Sequence, residues 1–212
     1  MEELIKSFID FHKKAEKLKT TTRHSWLTNS SRQESVAEHS WMICLLAIVL
    51  APKLDSKVDL LKVLKMLIIH DLAESITGDF TDFSVKPDYN KYPAEEQALR
   101  KIVERIPKDS ANEIMNLWQE FEKRDSMEAK FANSLDKIEA IMQHNLADIK
   151  TWEDGDFLMH PYYKDSFFDF DSFMRAFKDV VDNQSMEKII TEKVEHRIDS
   201  KHVDRYNKNK SK

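Results

Sequence analysis

Two glycines in 212 residues constrain this chain more than any other feature. Average usage is about 7%, and glycine is the default wherever the backbone needs positive φ. Hairpins, glycine-rich phosphate loops and dinucleotide-binding fingerprints are therefore nearly excluded. Helix is what remains. Leu4, Ile5, Phe8, Phe11, Ala15 and Leu18 recur every three or four positions, the spacing of an amphipathic helix. The polar stretch TTTRHSWLTNSSRQES interrupts that rhythm and ends in Ser35-Val-Ala-Glu38. This is a capping-box signature, and it predicts a helix running to about Leu50. Further helices are expected over 57–76, 93–106, 110–124, 126–150, 169–182 and 185–198. Gly78-Asp79 breaks the first of these, and Ser110-Ala-Asn-Glu113 is a second capping box after the break at Pro107. Residues 204–212 lack apolar periodicity and read as a flexible tail. One core suffices at this length, so the expected architecture is all-α, a single-domain helical bundle over 1–203.

Composition narrows the function classes. Apolar residues make up 41% and charged residues 33% of the chain, which is too apolar for disorder and implies a heavily solvated exterior. The net charge of −5 argues against polymeric nucleic acid, whose binders carry a basic face. A small phosphorylated ligand is still compatible, because a metal can supply positive charge locally. The single Cys44 precludes an intramolecular disulfide and suits a reducing compartment. It lies in WMICLLAIVLA, where a small buried side chain is the expected role. That run is too short to span a bilayer, and the scattered charges of MEELIKSFIDFHKK are unlike a signal peptide. A cytoplasmic protein without membrane partners is expected.

Three of the expected helices carry metal-ligating side chains. His39 falls in a first helical turn, His70-Asp71 borders the apolar stripe Leu64, Leu67, Ile68 and Leu72, and Asp136 borders Leu135, Ile138 and Met142. Adjacent helical residues point about 100° apart, so His70 and Asp71 share one ion only if it sits against the side of their helix. Two imidazoles and two carboxylates suit Mn²⁺, Fe²⁺, Co²⁺, Ni²⁺ or Zn²⁺ better than a thiolate-seeking metal. Each residue also has a plainer reading. A single helical histidine is commonly a surface or hydrogen-bonded core residue, and the dipeptide His-Asp is a weak signal. What favours a site is cost: ionisable groups beside an apolar stripe are expensive to bury without partners.

The segments RQESVAEHSW, IIHDLAESITGDF and AKFANSLDKIEA closely resemble those of the HD-domain metal-dependent phosphohydrolases. The strings E-S-V-A-E-H and H-D-x-A-E-x-x-x-G-D resemble most the 5′-deoxynucleotidase-related branch. The likeness runs from about Arg23 to Asp148. It implies an HD-type bundle with metal ligands His39, His70, Asp71 and Asp136, holding one divalent ion per subunit, with Mg²⁺ also admissible. It further implies catalytic carboxyls at Glu74 and Asp79, and substrate contacts from Arg23 and Trp26. Two departures stand out. Bacterial members place Trp directly after the Arg, whereas this chain reads Arg23-His-Ser-Trp26. They also carry a proline-containing loop where this chain reads FTDFSVK. The metal site transfers, and a preference for 2′-deoxynucleotides does not.

The resemblance implies removal of the 5′-phosphate from nucleoside monophosphates by a metal-activated water. Glu74 and Asp79 would handle protons in an order that the sequence leaves open. Two alternatives stand beside this. One is hydrolysis of a cyclic or alarmone-type nucleotide, although no GYP motif occurs and the sole Glu-Asp pair is Glu153-Asp154. The other is a non-catalytic metal-binding scaffold. The resemblance also implies a homodimer, with the aromatic segment 167–177 as a candidate interface. His12, His24, His144, His160, His196 and His202 lack motif context and are read as surface or structural residues.

Overall fold

The computed structural model describes residues 1–80, 90–159 and 161–210. Residues 81–89, His160 and residues 211–212 lie outside the described residues. The chain opens with helix α1 (Glu2–Ala15) and a 3₁₀ turn, Glu16–Lys19. The apolar stripe of α1 is only partly used. Phe11 and Ala15 pack inward, whereas Leu4, Ile5, Phe8 and Ile9 stay exposed.

A hairpin follows, against the expectation drawn from glycine scarcity. Strand β1 (Thr22–Trp26) pairs antiparallel with β2 (Gln33–Ser35), in register at Thr22↔Ser35 and Trp26↔Gln33 with an irregularity between. The reason is loop length. Residues 27–32 form a longer connection, closed by Leu27 N–H donating to the Arg32 carbonyl at 3.0 Å, and longer loops do not demand the glycines of two-residue turns. The left-handed position goes to Ser30 at φ 52°. Its hydroxyl accepts from Asp148 N–H at 2.9 Å, a tertiary bond that helps hold that backbone in place.

Helix α2 (Val36–Leu50) starts where the capping box places it: Glu38 N–H donates to Ser35 Oγ and Ser35 N–H donates to Glu38. It is buried on one face only. Ile43 and Ala47 are inside, whereas Trp41, Leu45, Ile48 and Val49 are exposed. The span Val36–Lys53 is long and apolar enough to cross a membrane by length and composition alone, yet its inner face packs on other helices of the bundle.

The expected helix 57–76 is in fact two. Helix α3 (Leu60–Ile69), capped by Asp59, gives way to a turn over 70–73. Its bonds tighten to three-residue spacing, with Leu72 N–H to Ile69 O and Glu74 N–H to Asp71 O both at 3.0 Å. Helix α4 (Glu74–Thr77) follows and ends at Gly78, whose φ of 78° is where glycine is needed. Helix α5 (Tyr92–Val103) matches its expected span closely. Helix α6 (Lys108–Lys123) starts at Pro107, without a side-chain cap. Ser110 therefore lies inside the helix rather than at its cap, and Glu113 is engaged with Lys65 of α3 instead.

Helix α7 (Met127–Leu146), capped by Ser126, is the central element. Phe131, Ala132, Leu135 and Ile138 on it are fully buried, each large side chain stabilising by about 1.5–3 kcal/mol relative to exposure. It packs on α2, α3 and α6, and Asn133 donates to the Phe121 carbonyl at 2.8 Å to fix α6 against it. After α8 (Asp154–Met159), α9 (Ser172–Thr191) runs unbroken where two helices, 169–182 and 185–198, were expected. Asn183-Gln184 is no helix breaker, and Asp171 supplies the cap at 3.0 Å from Met174 N. The aromatic run is core rather than a free face: Phe168 and Met174 are fully buried, and Phe167, Phe170, Phe173 and Phe177 pack around them. The expected tail is helix α10 (Ser200–Lys210) as far as the description extends. Its Tyr206 is buried with Met186 and Ile189 of α9.

Candidate active site

His39, His70 and Asp136 arrive from α2, the turn after α3 and the middle of α7. Their ligand atoms all lie within 4.8 Å of one another. The capping box fixes where α2 begins, and hence where His39 sits in its first turn. His70 Nδ1 donates to the Leu67 carbonyl at 2.8 Å, which leaves Nε2 with its lone pair aimed at the cluster. His39 Nδ1 donates to Glu139 Oε2 at 2.6 Å, so its Nε2 also faces inward, 3.2 Å from Asp136 Oδ1. A carboxylate behind a metal-binding imidazole raises its basicity and fixes its orientation. Lys137 Nζ takes the other Asp136 oxygen at 2.9 Å, leaving Oδ1 for the two rings.

Asp71 stands at the edge of this trio. Its Oδ2 accepts from Arg23 Nη1 at 3.1 Å and lies 2.9 Å from His70 Nε2. Among the described residues, His70 Nε2 is nevertheless buried without an aligned hydrogen bond, as are Glu74 Oε2 and Arg23 Nε. Buried polar atoms without partners are costly. Three of them around one cluster are what a site built for a cation and a polar ligand presents.

The electrostatics agree. Burial opposes protonation of His70, but Asp71 and Asp136 outweigh it and hold the imidazole up to about 10. His39 is raised against burial and Arg23 by Glu139 and Asp136. Burial acts against ionisation of Asp136, but Lys137 and the two histidines hold it well below the usual carboxylate range. Carboxylates that draw protons onto imidazoles make the demand for positive charge that a divalent ion meets while displacing those protons. The donor set of imidazole nitrogens and carboxylate oxygens therefore fits a divalent metal.

The other expected residues fall around this cluster. Arg23, on β1, is almost buried; desolvation disfavours its charge, but Asp71, Asp79, Asp136 and Glu74 hold the guanidinium above its ordinary value. Glu74 opens α4 and is 4% exposed. Burial, then Asp71 and Asp79, push its carboxyl up to about 10. Asp79 follows Gly78 and is raised by burial and by Asp71. Trp26 is half-buried. Its carbonyl accepts from Gln143 at 2.6 Å, and among the described residues no ring contact brings its indole to the cluster. The FTDFSVK segment beyond Phe80 lies outside the described residues.

Sequence reasoning missed Glu34, Lys137 and Glu139. Glu139 was within reach, since it lies three residues after Asp136 and so on the same helical face. Glu34 opens the E-S-V-A-E-H string, yet only the fold shows its partners: it arrives on β2, where Ser25 donates to it at 3.1 Å, and burial beside Glu139 pushes its carboxyl up to about 7. Cys44 is half-buried and its thiol is pushed up to about 11, as expected of a packing residue.

Residues 15–175 match the HD domain family. The chain belongs to the HD-domain family. It is 32% identical over 139 residues to the 5′-deoxynucleotidase HDDC2 of Homo sapiens, covering 65% of this chain and 67% of that protein. Identity to the 5′-deoxynucleotidase HDDC2 of Dictyostelium discoideum is 34% over 143 residues, or 65% and 75% of the two chains. Among solved structures, that of a predicted metal-dependent phosphohydrolase from Magnetospirillum magnetotacticum superposes with a TM-score of 0.76 at 29% identity. The match covers 88% of this chain and 95% of that one. The matched span includes α2, α3 and α7, the elements that bring His39, His70 and Asp136 together.

Proposed function

We propose that this HD-domain chain is a metal-dependent phosphomonoesterase that removes the 5′-phosphate from nucleoside monophosphates. The observation that carries this reading is the convergence of His39, His70 and Asp136, with Arg23, Asp71 and the raised carboxyls of Glu74 and Asp79 beside them. His39, His70, Asp71 and Asp136 would hold the ion. When bound, it supplies Lewis acidity toward water and phosphoryl oxygen.

The chain's own groups do the rest. Arg23 offsets charge on the phosphoryl oxygens, where a buried guanidinium acts strongly. As the water oxygen bonds to phosphorus, the bond to the 5′ oxygen breaks. The water gives up a proton and the leaving oxygen gains one. Glu74 is buried, Asp79 is partly so, and the two repel each other, so the pair can keep a proton between them. One member accepts from water while the other donates to the 5′ oxygen. Trp26 is assigned to the sugar side of the substrate. The negative net charge of the chain favours a small nucleotide over a polymer.

The test is a turnover screen of protein loaded with Mn²⁺, Co²⁺, Mg²⁺ or Zn²⁺. Substrates are matched 2′-deoxy and ribo 5′-monophosphates, 3′-monophosphates and cyclic nucleotides. Phosphate release from 5′-monophosphates is expected. Release only from cyclic or alarmone substrates would transfer the site to another phosphohydrolase class, and no release from any would leave a scaffold. A cytoplasmic homodimer belongs to the same reading, with sedimentation at twice 25.0 kDa as its measurement.

A further inference from the structure

A second cluster of metal-ligating side chains lies on the far side of the hairpin. Strand neighbours point to opposite faces, so Arg23 reaches the site above while His24 turns the other way. His24 Nε2 stands 2.9 Å from Asp156 Oδ2, and His144 Nε2 stands 3.8 Å from Asp156 Oδ1. The three ligand atoms lie within 4.8 Å of one another. His144 and Asp156 are buried, at 6% and 2% exposure.

Two geometric facts set this trio apart from an ordinary His–Asp pair. Ligands about 2.1 Å from a tetrahedral ion stand roughly 3.4 Å apart, and the 2.9 and 3.8 Å separations bracket that value. The arrangement also repeats that of the candidate active site. There two imidazoles with ring centroids 5.5 Å apart flank one aspartate, at 3.2 and 3.8 Å. Here the centroids are again 5.5 Å apart, and the rings face the two oxygens of Asp156, where the HD-site rings share Asp136 Oδ1. An ion pair needs one imidazole. The second, His144, is brought in by a separate element, backed by the edge of the Trp152 ring at 5.9 Å. Its position on α7, eight residues past Asp136, puts it about 12 Å further along that helix at 1.5 Å rise per residue.

We propose that His24, His144 and Asp156 form a second divalent-metal site, distinct from the HD site and holding a Zn²⁺-class ion by two imidazoles and one carboxylate. Such a donor set suits Zn²⁺, Co²⁺ or Ni²⁺ rather than Ca²⁺. Its effect is to clamp β1, the C-terminal turn of α7 and α8 together, beside the bond from Gln143 to the Trp26 carbonyl. The chain then carries one ion beyond what the HD site holds. This inference does not depend on which substrate the HD site takes.

The experiment is metal stoichiometry on the full chain, purified without chelator and then stripped and titrated with Co²⁺ and Zn²⁺. Folding of each variant is checked by circular dichroism. The wild type is expected to bind two ions per chain. Asp136→Asn, which impairs the HD site, should retain one. His144→Gln and Asp156→Asn should each lose the second ion while keeping the first, and the Co²⁺ absorption of the two single-site forms should differ. A wild-type stoichiometry of one overturns the proposal, as does an Asp136→Asn protein that binds none. Because the Asp136→Asn arm leaves the proposed ligands intact, the proposal remains testable even where His144→Gln fails to fold.

Discussion

His39→Ala and Glu74→Ala should separate ligand from proton carrier. His39 aims Nε2 at Asp136 Oδ1, so its loss should strip the HD-site ion and abolish turnover together. Glu74 approaches the cluster from α4 without joining the ligand trio. Glu74→Ala should therefore keep that ion while kcat falls by roughly 10²–10⁴-fold, the usual contribution of a general acid or base. Metal content measured beside kcat decides; a Glu74→Ala protein at the parent rate ends the mechanism. Glu139 makes a different prediction. It fixes the His39 ring through Nδ1 at 2.6 Å, and loss of such a supporting carboxylate typically weakens metal binding by about 10–100-fold. Glu139→Gln should show that weakening in a Co²⁺ titration, with kcat at saturating metal much less affected. Equal affinity in variant and parent would make Glu139 a bystander.

At the scale of single elements, the start of α2 sets the position of His39. Its capping box makes a measurable pH prediction. Arg32, ahead of the opposing cost of burial, and then the Ser35 backbone and hydroxyl, lower the Glu38 carboxyl from 4.5 to about 2. A depressed folded-state value stabilises above the ordinary one and is lost as pH falls through the folded one. The window is therefore pH 4.5 down to about 2. Unfolding midpoints across it should fall less steeply for Glu38→Gln than for the parent, by a small margin because Glu38 is 41% exposed. Ser35→Ala at neutral pH should cost about 1 kcal/mol, the usual value of an N-cap. In α9, Lys178 and Asp182 form a fully buried pair at 2.6 Å. Lys178→Met strands the carboxylate and should cost roughly 3–5 kcal/mol in denaturant unfolding. The double change with Asp182→Leu should recover part of that loss. If both variants unfold alike, the pair does not act as a unit.

Over the whole molecule, the candidate site is a meeting of distant segments. His39 and Asp136 are 97 residues apart, and Arg23 and Asp71 are 48 apart. An ion that binds this assembled site and not the unfolded chain stabilises the fold by mass action, about 2.7 kcal/mol at a hundredfold excess over Kd. Chelation should lower Tm and readdition of Co²⁺ or Mn²⁺ should restore it. A Tm indifferent to both would mean that the ligands do not hold metal in the folded chain.

The helical class, the start of α2 and the histidine and aspartate positions were all legible in the sequence. They rest on local rules: periodicity, a capping box, and motif strings that survive without knowledge of the partner. Where the sequence misled, a tertiary contact had decided the outcome. The hairpin needs no glycine because Ser30 is held in its left-handed position by a bond from Asp148. Helix α3 stops at Ile69 with neither glycine nor proline to stop it, in a turn whose His70 and Asp71 face Asp136 and Arg23. Residues 204–210 are helical although their own pattern is polar, with Tyr206 buried against α9. The partners of the site were hidden for the same reason. Glu34 and Lys137 lie inside the motif segments, but nothing local names their partners, and His24, His144 and Asp156 become a cluster only when β1, α7 and α8 meet. Local sequence determines which conformations each segment prefers. Which buried charges face one another is decided by packing, because an ionised group in a low-dielectric interior must find its counter-charge wherever the fold supplies it.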